Sequence, residues 1–115
     1  LDQKEKKVLE IIDHSPVKSA VWHIGLESLE EVILMKAREL GIRFGFAESA
    51  TGGLCSHRIT SVAGSSQSFR GSIVSYDNDV KQELLGVGTQ TLATHSELSQ
   101  EAAREMATGA RVKLG

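Results

Sequence analysis

The hydrophobic and polar positions along the chain follow two periods, one typical of helices and one typical of strands. Apolar residues three and four positions apart predict helices over residues 2–13, 28–40, 54–63, 77–86 and 99–113. Short apolar runs between turn residues predict strands over 18–25, 42–47 and 70–76, with loops at 64–69 and 87–95. This alternating order favours an α/β fold in which at least part of the sheet is parallel.

Local signals mark where several of these helices begin and end. Ser28 and Glu31 have the spacing of a capping box. Either Asp77 or Asn78 is expected to cap the helix that Gly86 closes. The last helix is expected to present a stripe of small apolar residues, which are Ala102, Ala103, Met106, Ala107 and Ala110.

Length and composition indicate one globular domain. The chain has 115 residues, of which 40% are hydrophobic and 24% charged, and 13 basic residues against 15 acidic ones give a formal net charge of -2. This balance gives no support for a nucleic-acid or anionic-membrane partner. No apolar run approaches the about 18 residues that a membrane span needs. We therefore expect neither nucleic acid nor membrane as a partner.

Cysteine and histidine usage narrows the chemistry further. Cys55 is the only cysteine, so an intrachain disulfide is excluded and a reducing cytoplasm is the expected location. The four histidines, His14, His23, His57 and His95, lie too far apart in sequence to form a local ligand motif. No metal site is expected.

The stretch FAESATGG, residues 46–53, places a serine at the corner between a predicted strand and a predicted helix. Ser49 follows the strand 42–47, Tyr76 closes the strand 70–76, and Lys81 lies about one helical turn further on. Parallel strands joined by a helical crossover end at the same edge of the sheet, so these three side chains are expected to converge. A serine needs a base to become a nucleophile, and a lysine can be that base where its surroundings favour the neutral amine, while a phenol can relay a proton.

Other residues near the corner suit ligand binding. Thr51, Gly52 and Gly53 precede a helix whose free N–H groups suit a phosphate or an oxyanion, and the glycines allow close approach. Ser65 and Ser66 lie in the loop entering the second strand, nearer the opposite end of the sheet unless that loop folds back.

Each candidate also has an ordinary structural explanation. Ser49, Thr51 and the glycines can simply turn the chain and cap a helix. Lys81 can be a solvated lysine and Tyr76 a half-buried packing residue. Glu48 can orient Lys81 or Arg58, or be an exposed acid at a strand end. The two loop serines can be ordinary loop residues, and Cys55 a small core residue.

Several linked motifs resemble one known family. The segments FAESATGG, SVAGSSQSF, GSIVSYDNDVK, LLGV and H-x3-S-x2-AAREMATGA occur in the order and spacing of the CinA C-terminal domain, the nicotinamide-nucleotide amidase family also called PncC. The resemblance covers residues 25–115. It implies a three-layer α/β/α domain with a mixed, partly parallel sheet.

The resemblance implies an activity and roles for the corner residues. The expected reaction is hydrolysis of the carboxamide of nicotinamide mononucleotide to nicotinate mononucleotide and ammonia, without a metal or redox cofactor. The family's ES-x-TGG nucleophile falls on Ser49 and its base on Lys81, with supporting roles for Tyr76 and Ser66. The expected substrate-binding residues are Glu48, Thr51, Gly52, Gly53 and Ser65. The alternative is a non-catalytic or truncated CinA-like protein that acts through protein contacts in the competence and DNA-damage response.

The sequence departs from the family pattern in two places. Ala50 stands where the family commonly has cysteine, a change that a serine mechanism should tolerate. The family's domain continues through another strand and a glycine-rich TG-x-AGP-type loop, so we expect a fragment or a shortened relative with an incomplete sheet and pocket. Residues 1–24 are expected to be a linker or the remnant of a preceding domain. An exposed sheet edge would favour a homo-oligomer.

Overall fold

The computed structural model describes residues 2–14 and 25–115. Its elements are helices α1 (Gln3–Asp13) and α2 (Leu29–Glu39), strand β1 (Phe44–Glu48), helix α3 (Leu54–Thr60), a 3-10 turn (Ser65–Gln67), strand β2 (Phe69–Val74), and helices α4 (Asn78–Leu85), α5 (Thr89–His95) and α6 (Gln100–Leu114). The strand predicted over residues 18–25 lies, except for its last residue, outside the described part of the chain.

The predicted helix caps are confirmed. The Ser28 backbone N–H donates to Glu31 Oε2 over 2.7 Å, and Glu31 N–H donates back to Ser28 Oγ over 3.3 Å, which completes the capping box of α2. Asp77, rather than its neighbour, caps α4 by accepting from Asp79 N–H over 3.0 Å. Gly86 ends that helix at a φ of 69°, a conformation that a residue without a Cβ adopts without strain.

The two described strands form a parallel pair, as the crossover between them predicts. Phe44 is opposite Phe69 and Glu48 is opposite Val74, with a shift in register just after Phe44. Helix α3 lies in the connection, so the carboxyl ends of both strands lie at one edge of the sheet. That edge is where the candidate residues were expected to meet.

Helices cover both faces of this sheet. One face packs Phe44, Phe46 and Phe69, with ring centroids 5.5 to 5.6 Å apart, against α2 and α3. The other face places Ala47 and Ile73 against a cluster formed by Leu85, Val87, Ala102, Met106 and Ala110. The three-layer α/β/α arrangement is therefore confirmed, with the apolar stripe of α6 narrower than expected because Ala103 and Ala107 are exposed.

Several predicted boundaries are wrong, and β1 begins at Phe44 rather than at residue 42. The loop expected over 87–95 contains helix α5, because Glu105 of α6 accepts hydrogen bonds from Gly88 N–H over 2.8 Å and from Thr91 Oγ1 over 2.7 Å. Strand β2 ends at Val74, two residues early, where its partner strand also ends. Helix α3 has seven residues rather than about ten.

Helix α6 packs against α4 at very short range. A Cβ placed on Gly109 would lie 1.9 Å from the backbone oxygen of Leu85, the last residue of α4. Only a glycine permits this approach. The contact fixes α4, and with it Lys81, relative to the sheet.

Candidate active site

Glu48 ends β1 and anchors the corner that follows it. Its side chain is buried, with 3% of its surface exposed. Oε2 accepts hydrogen bonds from Thr51 Oγ1 at 2.9 Å, Gly53 N at 3.0 Å and Cys55 N at 3.1 Å. Oε1 accepts from the N–H of Ser56 at 3.0 Å and from its hydroxyl. The carboxylate thus caps α3 from outside the helix, since Gly53 has no side chain to do so.

This carboxylate is held in its ionised form. Burial raises the pKa of Glu48, but the hydrogen bonds from Ser56, Thr51 and the backbone N–H of Cys55 together outweigh burial and lower the pKa from 4.5 to about 2. Ser56 Oγ also accepts a hydrogen bond from Ser72 Oγ of β2 over 2.6 Å, since its own proton goes to Glu48. The charged Glu48 side chain therefore helps to hold β1, α3 and β2 together at the residue that precedes Ser49.

The roles expected for Glu48 and for the start of α3 need correction. Glu48 is neither exposed nor paired with Arg58, which forms its ion pair with Glu30, and the hydrogen bonds of Lys81 do not involve it. The helix N–H groups expected to face an anion are bonded to Glu48, and Gly52 N–H donates to Ser49 O over 3.0 Å.

Two N–H groups at the corner remain available. Within residues 2–14 and 25–115, the backbone N–H groups of Ala50 and Thr51 donate to no protein acceptor. Both follow Ser49 directly. They are the N–H groups at this corner that can face a ligand.

Lys81 is buried rather than solvated. It lies one turn into α4, its side chain is 1% exposed, and Nζ donates a hydrogen bond to the backbone oxygen of Tyr76. No carboxylate in the described part of the chain forms an ion pair with it. A lysine in this environment needs an explanation other than surface solvation, because buried lysines are rare unless they are paired.

Ser49, Tyr76 and Lys81 meet in one cleft, as the parallel topology predicts. The cleft has a volume of about 480 Å³ and is lined by Ser49, Ala50, Tyr76, Asp77, Asn78, Lys81, Glu97 and Leu98. Ser49 is half-buried, whereas Tyr76 is 77% exposed, so the tyrosine is not the half-buried packing residue considered above. The carboxyl edge of the sheet therefore combines a hydroxyl, a buried amine and an exposed aromatic ring.

Other predicted site residues lie elsewhere. Ser65 and Ser66 form part of the 3-10 turn that precedes β2, at the opposite end of the strands from Ser49. Gly52 and Gly53 have positive φ values of 57° and 101° and make the turn, while the Thr51 hydroxyl is bonded to Glu48. The functional roles suggested for these residues stay predictions.

The sequence did not point to two residues of the cleft wall. Glu97 and Leu98 come from the segment between α5 and α6, at positions that the H-x3-S motif leaves unspecified. Asp77 and Asn78 were noticed only as helix caps. The place of Glu97 and Leu98 in the cleft follows from the way α6 packs against α4, and no local sequence pattern predicts that packing.

The described residues hold neither a cluster of metal ligands nor a membrane-spanning helix. In residues 2–14 and 25–115, no three side chains of histidine, cysteine, aspartate or glutamate are grouped so that they could hold a metal ion. No helix in the same ranges is long and apolar enough to cross a bilayer.

Sequence relatives carry the family name that the motifs suggest. The chain is 44% identical over 88 residues to a CinA-like protein of Prochlorococcus marinus, an alignment that covers 76% of this chain and 20% of that protein. It is 40% identical over 95 residues to a CinA-like protein of Kosmotoga olearia, covering 83% and 23%. The chain thus spans about a fifth to a quarter of the length of these relatives.

Solved structures agree with the fold. The competence/damage inducible protein CihA from Agrobacterium tumefaciens superposes with a TM-score of 0.72 at 39% identity, covering 81% of this chain and 57% of that one. A CinA superfamily protein from Enterobacter cloacae gives a TM-score of 0.73 at 25% identity over the same shares. The family model of the CinA C-terminal domain matches residues 26–115. This chain therefore belongs to the CinA C-terminal domain family.

Proposed function

We propose that this chain is an amidase domain that hydrolyses the carboxamide of nicotinamide mononucleotide to nicotinate mononucleotide and ammonia. The observation that carries the proposal is the cleft that Ser49 shares with the buried Lys81. A hydroxyl that shares a cleft with an amine can be a nucleophile with that amine as its base, and this amine has no carboxylate partner among the described residues. The resemblance to the amidase family supplies the substrate.

Lys81 acts as the base and then as the acid. Its neutral amine accepts the Ser49 proton as Oγ bonds to the amide carbon, and the electron pair of the C=O bond moves onto oxygen. The ammonium then returns the proton to the amide nitrogen, the C–N bond breaks, and ammonia leaves. Water, deprotonated by the same amine, attacks the acyl carbon, and Ser49 recovers its proton as the C–O bond breaks.

Backbone groups at the corner support this sequence of steps. The hydrogen bond to the backbone oxygen of Tyr76 holds the Lys81 amine in the wall of the cleft. The N–H groups of Ala50 and Thr51, which have no acceptor within the described residues, stabilise the oxyanion of the tetrahedral intermediate. Glu48 keeps the corner rigid, so the two N–H groups need no rearrangement during the reaction.

An ammonia assay tests the proposal. The chain is incubated with nicotinamide mononucleotide, and ammonia release is compared with that of Ser49→Ala, Lys81→Met and the control Ser61→Ala, which alters an exposed serine at the end of α3. We expect Ser49→Ala and Lys81→Met to lose about 10³-fold or more in kcat, with Ser61→Ala unaffected. Circular dichroism confirms that each variant is folded. Equal release by the wild type and Ser49→Ala would sink the serine mechanism.

The second candidate is a non-catalytic CinA-like module that acts through protein contacts in the competence and damage response. It is favoured by the names of the relatives and by the exposed apolar residues Val8 and Ile11 of α1, which are 53% and 62% exposed. A homo-oligomer using such surfaces, and a linker role for residues 1–24, stay predictions. Absence of ammonia release from the folded wild type, with sedimentation showing a stable complex, would favour this candidate.

A further inference from the structure

The turn between α5 and α6 has an unusual backbone conformation. Ser96 has φ 72° and ψ 166°, and within residues 2–14 and 25–115 it is the only non-glycine residue with positive φ. This region is almost exclusive to glycine, and residues held there cluster at ligand-binding sites.

Hydrogen bonds hold this turn in place. Ser96 N–H donates to Leu92 O over 3.2 Å, and Ser96 O accepts from Ser99 Oγ over 2.8 Å. The Ser96 hydroxyl accepts from Leu98 N–H over 3.3 Å. The turn therefore presents Glu97 and Leu98 to the cleft in a fixed position.

Glu97 is the cleft carboxylate without a partner. Asp77 also lines the cleft, but its carboxylate is bonded to the N–H of Asp79 at the start of α4. The Lys81 amine donates a hydrogen bond to the backbone oxygen of Tyr76. Among the described residues, the carboxylate of Glu97 has no hydrogen bond and no ion pair. Two carboxylates against one amine make the cleft favourable for a cation.

An exposed aromatic ring lies in the same cleft. Tyr76 is 77% exposed and lines the cleft together with Glu97 and Leu98. The face of a tyrosine ring attracts cations, and leucine offers an apolar contact for a flat ring. A carboxylate, an aromatic face and an apolar side chain together suit a cationic heteroaromatic group.

We propose that Glu97 makes the cleft selective for a cationic ring, so that an N-alkylated pyridinium carboxamide binds in preference to its neutral pyridine analogue. The proposal rests on the proposed function for the orientation of the ligand, with the carboxamide at Ser49 and the ring against Tyr76 and Glu97. The ring nitrogen of a pyridinium nucleotide bears a permanent positive charge, which the carboxylate attracts.

A binding experiment tests this selectivity without relying on turnover. Dissociation constants of 1-methylnicotinamide, which is cationic, and nicotinamide, which is neutral, are measured by calorimetry or ligand-observed NMR on the Ser49→Ala chain. The measurement is repeated with Glu97→Gln added, and with Glu101→Gln added as a control in the first turn of α6, outside the cleft. Wild-type ammonia release is recorded in parallel, so failure of the amidase proposal is detected separately.

We expect the cation to bind more tightly than the neutral compound. Glu97→Gln should lower this preference about 5-fold, equivalent to about 1 kcal/mol for a partly screened ion pair, while Glu101→Gln leaves it intact. Added salt should weaken binding of the cation alone. Equal affinities for the two compounds, no binding of either, or a preference that survives Glu97→Gln would each overturn the proposal.

Discussion

Glu48→Gln removes the charge that anchors the corner before Ser49 while keeping nearly the same volume. A glutamine retains one oxygen and places an NH2 group where the other oxygen was. In either orientation this NH2 faces partly buried donors, those of Ser56 or those of Thr51, Gly53 and Cys55. At least one partly buried N–H group loses its acceptor, at a cost of about 1 to 3 kcal/mol.

The lowered pKa of Glu48 leads to a similar magnitude by a second route. A fall from 4.5 to about 2 corresponds to about 3 kcal/mol of stabilisation by the ionised form. Because the folded-state pKa is depressed, this stabilisation is fully present above pH 4.5 and is lost as the pH falls towards 2. We therefore expect Glu48→Gln to lose about 2 to 3 kcal/mol at pH 7, and the difference from wild type to shrink by about half near pH 3.

Urea unfolding at a series of pH values from 3 to 7, followed by circular dichroism, measures this difference. Glu83→Gln serves as the matched control, because Glu83 is an exposed residue of α4, and it should change the unfolding free energy by less than about 0.5 kcal/mol at every pH. A Glu48→Gln loss below about 0.5 kcal/mol at pH 7, or a loss independent of pH, would refute this account of the corner.

Two further predictions concern packing and the cleft. Gly109→Ala should lower the unfolding free energy in urea by about 2 kcal/mol or more, because the new Cβ would lie 1.9 Å from the Leu85 backbone oxygen, even though alanine favours helices. Thr108→Ala, on the exposed side of α6, is the control. Equal stabilities of the two variants would contradict the packing. If the Tyr76 ring serves as a binding face, Tyr76→Phe should retain ammonia release within about 3-fold, whereas Tyr76→Ala should raise KM about 5-fold or more. Equal losses of kcat in both variants would instead indicate that the phenol transfers a proton.

The convergence of Ser49, Tyr76 and Lys81 was predictable because it depends on topology. Parallel strands need a crossover connection such as the helix between β1 and β2, and a residue just past the end of each strand then lies at a known edge. The caps at Ser28 and Asp77 were predictable for another reason, since the donor and the acceptor lie within three residues of each other.

The features that the sequence did not reveal depend on contacts between distant segments. Helix α5 has little apolar periodicity, and part of what holds it is Glu105, which lies in the next helix. Glu48 appeared as a lone acid at a strand end because its donors gather around it only when α3 folds back on β1. Glu97 occupies an unspecified position of the H-x3-S motif, and its place in the cleft depends on the turn at Ser96.

The burial of Lys81 divides the lysines in residues 2–14 and 25–115 into two chemical classes. Lys36 and Lys113 face solvent at least in part and should react with an amine-labelling reagent in the native state, whereas Lys81, at 1% exposure, reacts only when the end of α4 opens. Its labelling rate, followed by mass spectrometry, therefore reports local opening of the cleft in the unmodified sequence. The same amine that is proposed to drive the chemistry is a built-in probe of how often the cleft opens.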